Sequence, residues 1–195
     1  MRHPLTARLL LAAALCLPLW AGAEVTLAGV KYEDGMDLRG AKLQLNGAGI
    51  RYKGPFKVYS AGLYLPRKAG TTDEVLAMPG AKRVSVVMLR DIDASELGKL
   101  FVRGVDDNMD KNAMAKLIPG LMRMSQIFSD YKNLKSGEQF TIDWIPGTGT
   151  IVSVRGVPAG EPFKEPEFFN ALLRIWLGPV PADWKLKDSL LGVKA

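Results

Sequence analysis

Arg51 and Tyr59 are the two side chains whose types and spacing best suit the binding of an organic anion. The turn signal Gly54-Pro55 lies between them, and strands that pair about Pro55 would place them directly opposite on one face, with Cβ atoms about 5 Å apart. A shift of one residue would place them on opposite faces. An arginine binds a carboxylate through two parallel charged hydrogen bonds, and a tyrosine hydroxyl adds a third. The pair therefore indicates a carboxylate site, and the simpler alternative is an exposed strand arginine beside a tyrosine that packs in the core.

The elements that must position this pair are strands predicted between Glu24 and Leu65, a region rich in valine, tyrosine, leucine and glycine. Residues 41–45 alternate in polarity, which is typical of a strand. The glycine-rich residues 46–49 are interpreted as a turn, after which Ile50 begins the next strand. Residues 56–65 carry apolar side chains on both faces, which predicts a central strand covered on both sides.

Capping signals and helical periodicity predict the helices. A threonine or aspartate followed three residues later by glutamate marks helix starts at Thr71 and Asp93. Pro119 lies inside the next periodic segment and should kink or break that helix, because proline has no backbone N–H to donate. Pro166 and Gly178 are interpreted as the first turn and the stop of an apolar helix.

Two further signals complete the predicted fold. Residues 139–145 and 150–157 flank a Pro-Gly-Thr-Gly run, which predicts a hairpin, and Pro181 is expected to start a last helix. No repeat or low-complexity linker divides residues 24–195. The order of strands, paired helices, hairpin and terminal helices therefore predicts a single α+β domain whose sheet packs helices on one face.

Residues 1–23 have the three parts of a cleavable export signal. Arg2 and Arg8 supply the charged start, an apolar stretch runs from Leu9 to Leu19, and small residues precede the expected cut after Ala23. The stretch is too short for a membrane anchor, and no later segment has the roughly 18 consecutive apolar residues that a transmembrane helix needs. The mature protein is therefore expected in the periplasm or outside the cell.

Cleavage would remove His3 and Cys16, the only histidine and the only cysteine of the chain. The mature protein then has no thiol nucleophile, no histidine acid–base group and no serine-histidine-aspartate triad, and it lacks the usual ligands of zinc, copper and haem. No metal site and no cofactor are expected. Loss of two arginines lowers the formal net charge from +6 to +4. This mild basicity gives no sign of a nucleic-acid partner.

Three segments match known motifs only in part. The glycines at 47–49 lack the third glycine of a dinucleotide fingerprint, and those at 147–149 lack the lysine of a phosphate loop. Aspartate and asparagine alternate from Asp106 to Asn112 as in a calcium loop, but Lys111 and Leu117 replace the required glycine and glutamate. These segments are interpreted as turns and as a solvated link between two helices.

The residues around Arg51 and Tyr59 also carry a family resemblance. Gly49-Ile50-Arg51, followed by Phe56-Lys57-Val58-Tyr59-Ser60-Ala61-Gly62-Leu63-Tyr64-Leu65, resembles the opening signature of the chalcone isomerase-like family. The helix pair, the hairpin at 140–157 and residues 169–178 are similar in order and spacing, so the likeness covers nearly the whole mature chain. It implies an open-faced β-sandwich, in which a large antiparallel sheet packs against a layer of helices with a ligand cleft between them.

The family includes plant chalcone isomerases, plastid fatty-acid-binding proteins, non-catalytic helper proteins and exported bacterial members, and this chain resembles the exported bacterial branch. The resemblance assigns roles to matching residues. Arg51 matches the arginine that faces the anionic part of the ligand in isomerases and fatty-acid binders. Tyr59 matches a tyrosine of the fatty-acid binders, where isomerases have threonine. The catalytic tyrosine and asparagine of isomerases should fall between Asp93 and Phe101, a segment that contains neither. The late polar specificity residue of isomerases falls near Ile175.

These matches favour an exported, non-catalytic binder of a fatty acid or similar amphipathic carboxylate, held at Arg51 and Tyr59. Two alternatives stay open. An isomerase or lyase of enone-like or phenolic molecules would use Arg51 as electrophile and Tyr59 as acid or base, although a tyrosine pKa of about 10 suits a base poorly at neutral pH. An envelope accessory protein would bind a partner protein through its surface, with the cleft filled as ordinary core.

Overall fold

A computed structural model describes residues 24–193 of the 195-residue chain. The predicted export signal, residues 1–23, lies outside the described residues. Within the described part of the chain, no helix is both long and apolar enough to cross a membrane.

Eleven strands and five helices follow one another along residues 24–193. The strands are β1 (Val25–Leu27), β2 (Val30–Tyr32), β3 (Gly35–Leu38), β4 (Ala41–Lys53), β5 (Phe56–Leu65), β6 (Lys82–Met88), β7 (Ile92–Asp93), β8 (Asn133–Leu134), β9 (Gln139–Ile145), β10 (Gly149–Val154) and β11 (Val157–Pro158). The helices are α1 (Thr72–Ala77), α2 (Ala94–Asp106), α3 (Lys111–Ser129), α4 (Pro166–Leu177) and α5 (Trp184–Leu190).

Seven of the strands form one antiparallel sheet in the order β11-β10-β9-β6-β5-β4-β3. The main hydrophobic core lies between one face of this sheet and the helices. A smaller cluster on the other face combines Tyr32, Leu43 and Tyr64 with apolar residues of the β1–β2 hairpin. The predicted α+β architecture is confirmed, and β5 is buried without interruption from Val58 to Leu65, as expected for a central strand covered on both sides.

The expected turn at residues 46–49 is wrong, because β4 runs through these residues without ending. The pairing of β4 with β5 is irregular at this point, and Asn46 is the extra residue of a β-bulge between Leu45 and Gly47. The Asn46 amide donates hydrogen bonds to the carbonyl oxygens of Ala69 and Leu190, and its oxygen accepts one from the Ala69 N–H. The bulge residue therefore ties the strand to the end of α5.

The glycines that suggested a turn instead let α5 pack directly on the strand. A Cβ atom at Gly47 would lie 2.0 Å from the carbonyl oxygen of Ser189, and one at Gly49 would lie 2.7 Å from the Ser189 Cβ. Only residues without a side chain permit this contact between helix and sheet. The helix consequently runs along β4 beside Arg51.

The helix starts that the sequence predicted are confirmed at Thr71, Asp93 and Pro166. Thr71 and Glu74 form a complete capping box. Pro119 does not break α3, which continues through it; the alternative of a kink stays a prediction. The last helix begins at Trp184 with the Asp183 side chain as its cap rather than at Pro181.

We expect Gly47→Ala to destabilise the fold by about 1–3 kcal/mol, because the new methyl group collides with backbone of α5. Gly70→Ala is the matched control, since Gly70 is exposed and a Cβ atom there meets nothing within 4 Å. Urea unfolding of the wild type, Gly47→Ala and Gly70→Ala measures the difference in the free energy of unfolding. Equal midpoints for Gly47→Ala and Gly70→Ala would show that the contact between α5 and β4 is not as tight as described.

Candidate ligand-binding site

Arg51 and Tyr59 lie directly opposite each other on β4 and β5, in the register that makes a joint site possible. A second irregularity in the pairing produces this register. Tyr52 pairs with Lys57 next to the turn, so regular pairing would place Arg51 opposite Val58. The extra residue Val58 shifts the partner to Tyr59. Both side chains therefore lie on the helix-covered face of the sheet.

The arginine and the tyrosine are in contact on this face. The Arg51 Cζ lies 5.4 Å from the centre of the Tyr59 ring, within the range of a cation–π interaction. Tyr59 is 3% exposed, and its hydroxyl oxygen accepts a 2.8 Å hydrogen bond from the Trp176 indole N–H. The Trp176 bond fixes the hydroxyl oxygen and leaves its hydrogen free to be donated.

The Arg51 guanidinium has no acidic partner among residues 24–193. No carboxylate oxygen of this part of the chain lies within 4.0 Å of it, and its Nε is buried without a hydrogen-bond partner. Asp183, the acid at the start of α5, accepts hydrogen bonds from the backbone N–H groups of Tyr52 and Leu186. A buried polar group without a partner costs free energy, so Arg51 is suited to receive an anion from outside the chain.

A cavity of about 230 Å³ opens in front of this pair, between the sheet, α2 and the connection from α4 to α5. Arg51, Tyr59 and Trp176 provide its inner polar groups, while exposed Arg103 and Asp107 lie on its α2 wall. The apolar part of the lining includes Leu97, Leu100, Phe101, Phe140, Ile175 and Val180. The site thus combines Arg51 at its inner end and two exposed charged residues on α2 with a mostly apolar wall, and a few polar groups in an apolar lining are typical of small-molecule sites.

Burial raises the pKa of Tyr59 above its usual value of 10, although the positive charge of Arg51 and the hydrogen bond from Trp176 lower it in part. The hydroxyl therefore stays protonated at neutral pH. In that state it acts as a hydrogen-bond donor rather than as a base.

The segments in which the resemblance places the polar groups of isomerases do line the cavity, with apolar side chains. Leu97, Leu100 and Phe101 face it from α2, and Ile175 faces it from α4. The sequence analysis did not single out Trp176, whose indole N–H holds the Tyr59 hydroxyl. An indole in the apolar stripe of α4 gives no separate signal, because its hydrogen-bond partner lies 117 residues away in sequence.

The segment that partly resembled a calcium loop is the link between α2 and α3, as predicted. Asp110 caps α3 by accepting hydrogen bonds from the backbone N–H groups of Asn112 and Ala113. Among residues 24–193, no cluster of three or more potential metal-ligating side chains occurs.

The fold and the cavity together define a class of protein: an open antiparallel sheet under a layer of helices, with a ligand-sized cavity between the two. The family model described as chalcone isomerase-like matches residues 24–192. The chain therefore belongs to the chalcone isomerase-like family.

A comparison with solved structures supports the same fold. The crystal structure of a fatty-acid binding protein from Arabidopsis thaliana superposes with a TM-score of 0.70 at 15% sequence identity, covering 87% of this chain and 96% of that chain. A comparison with curated protein sequences gives no match. The predicted open-faced sandwich of the chalcone isomerase-like kind is confirmed.

We expect three of the five tyrosines to ionise late in an alkaline titration. Burial raises the pKa of Tyr32 and of Tyr64 to about 12, and it raises that of Tyr59 as well. Because unfolded tyrosines ionise at about pH 10, the stabilisation from these neutral phenols is complete below that pH and is lost as the pH rises from 10 towards 12. Phenolate absorbance of the native protein, compared with Tyr59→Phe, measures this. If Tyr59→Phe removes a tyrosine that ionises near pH 10 in the native protein, the burial of Tyr59 is contradicted.

Proposed function

We propose that the protein is an exported, non-catalytic binder of a fatty acid or other amphipathic carboxylate. The observation that carries this proposal is the buried Arg51 Nε, which has no partner within residues 24–193 and stands beside a tyrosine hydroxyl with a free hydrogen. Arg51 would bind the carboxylate through its planar guanidinium, and Tyr59 would donate a further hydrogen bond. The apolar tail would lie against the side chains of α2 and α4.

The character of the cavity supports binding over catalysis. Ring closure on an enone needs polar groups placed to stabilise developing charge. The α2 wall presents leucine and phenylalanine where such groups would have to lie. Tyr59, the remaining candidate acid or base, has its pKa moved away from neutrality by burial, whereas efficient acid–base groups have a pKa near the working pH. The name of the Arabidopsis thaliana structural neighbour, a fatty-acid binding protein, agrees with a binding role.

We expect Arg51→Ala to weaken carboxylate binding by about 10- to 150-fold, since hydrogen bonds to charged groups contribute about 1.5–3 kcal/mol. Tyr59→Phe should weaken it by about fivefold, because it removes one hydrogen bond and keeps the ring. Isothermal titration calorimetry with octanoate measures both effects. The parent alcohol, octanol, should bind wild type and Arg51→Ala with similar affinity.

Arg67→Ala is the matched control, because Arg67 is exposed and lies outside the cavity. It should bind octanoate like wild type. Equal losses in Arg67→Ala and Arg51→Ala would mean that the attraction is general electrostatics, and an unchanged affinity in Arg51→Ala would refute the carboxylate site. Turnover of a chalcone that is lost in Tyr59→Phe would favour the isomerase alternative.

Export is the second part of the proposal, and it rests on the charged, apolar and small-residue parts of residues 1–23. We expect the protein purified from the envelope fraction of its own cells to begin at Glu24. Intact-mass measurement under denaturing conditions identifies the terminus, and native mass spectrometry of the same sample reveals a co-purifying carboxylate. A full-length mass, or recovery from the cytoplasm alone, would refute export and leave the binding proposal standing.

A further inference from the structure

The register of the sheet arranges the residues on the helix-covered face in rows. Tyr59 pairs with Arg51 on one side and with Met88 on the other, so these three residues form one row across the sheet near its end. The next row on the same face joins Gly49, Ala61, Val86 and Phe140. A tail that leaves Arg51 along the strands therefore reaches the level of this second row after one step of two residues, about 7 Å, and Phe140 lies in that row three strands away from β4, roughly 14 Å across the sheet.

Phe101 closes the cavity at the level of this second row. Phe101 is 3% exposed, and its ring stacks on Phe128 with the ring centres 5.1 Å apart. It makes edge-to-face contacts with Phe140 and Trp176, whose ring centres lie 5.8 and 6.0 Å from that of Phe101. Phe101, Phe140 and Trp176 line the cavity, whereas Phe128 lies behind them. The Phe101 ring is thus the barrier between the cavity and the aromatic interior.

The volume of the cavity indicates a compact ligand. The cavity of about 230 Å³ has room for about eight water-sized groups at roughly 30 Å³ each. A carboxylate head with a chain of about six carbons, or with one aromatic ring, fills this space.

We propose that Phe101 is the residue that sets ligand length, and that the site takes compact carboxylates, of medium chain or with a single ring, rather than long-chain fatty acids. This inference rests on the proposed carboxylate site at Arg51 and Tyr59 and names its ligand class. The charged head binds at the outer row, and the tail ends against the Phe101 ring.

A chain-length series tests the proposal: butanoate, hexanoate, octanoate, dodecanoate and hexadecanoate, each below its critical micelle concentration, measured by calorimetry on the mature protein. Affinity should rise about threefold to fourfold per methylene group while the tail enters the cavity. Beyond octanoate the gain should stop. A continued rise to hexadecanoate in wild type would overturn the length limit, while an absence of binding by the whole series would refute the carboxylate site itself.

Variants of Phe101 test whether this ring sets the ligand length or whether a general loosening of the core would have the same effect. Phe101→Ala should extend the rising part of the series by about four methylene groups, the space of the lost ring, and Phe101→Leu by about one. The leucine variant keeps most of the core volume, so the test holds if the alanine variant does not fold. Leu100→Phe, which adds a ring at the cavity wall, should shorten the series.

Phe163→Leu is the matched control. Phe163 is also buried and stacked on another phenylalanine, Phe168, with ring centres 4.3 Å apart, but it does not line the cavity. It should leave the length dependence unchanged. An extended series in Phe163→Leu, or an unchanged one in both Phe101 variants, would refute the assignment of the barrier to Phe101.

Discussion

The irregular pairing of β4 with β5 is the constraint on which the candidate site depends. The turn at Gly54-Pro55 alone would place Arg51 opposite Val58, and the extra residue at Val58 moves its partner to Tyr59. Side chains alternate between the two faces of a strand, so a one-residue difference decides whether guanidinium and phenol meet under the helices or lie on opposite sides of the sheet. The other bulge, at Asn46, ties the same strand to α5 through a hydrogen bond to the Leu190 carbonyl and to the segment after β5 through two hydrogen bonds with Ala69. The site is thus created by backbone geometry as much as by residue type.

Features that depend on local chemistry could be predicted from the sequence. The capping box at Thr71 and the cap at Asp93 satisfy free backbone N–H groups within one turn, and Pro166 removes one such group at the start of α4. All three helix starts are confirmed. Features that depend on distant partners could not. The glycines at 47 and 49 look like a turn in isolation, and they are needed inside a strand because Ser189, some 140 residues later, packs on them.

The same distinction applies to the site. Arg51 and Tyr59 were predicted because a hairpin brings near neighbours in sequence together. The contact of Tyr59 with Trp176 joins residues that are 117 positions apart in the sequence. Leu97 and Phe101, which enclose the cavity, also come from a different element than Arg51 and Tyr59. Periodicity shows that these residues face inward. It does not show whether they face a cavity or other side chains, since apolar residues have the same pattern in both cases.

The arrangement of polar and aromatic groups follows from the cost of burying charge. Arg51 occupies the row near the end of the sheet, where part of its side chain stays accessible. Phe140 occupies the next row inward, and Phe101 of α2 packs against it. A guanidinium placed one row deeper would lose its remaining hydration without an acidic partner, and the penalty would be several kcal/mol. The charge is therefore at the outer position and the rings at the inner one. An amphipathic anion of the kind proposed would therefore bind with its head at the sheet end and its tail inward, whatever the identity of the tail.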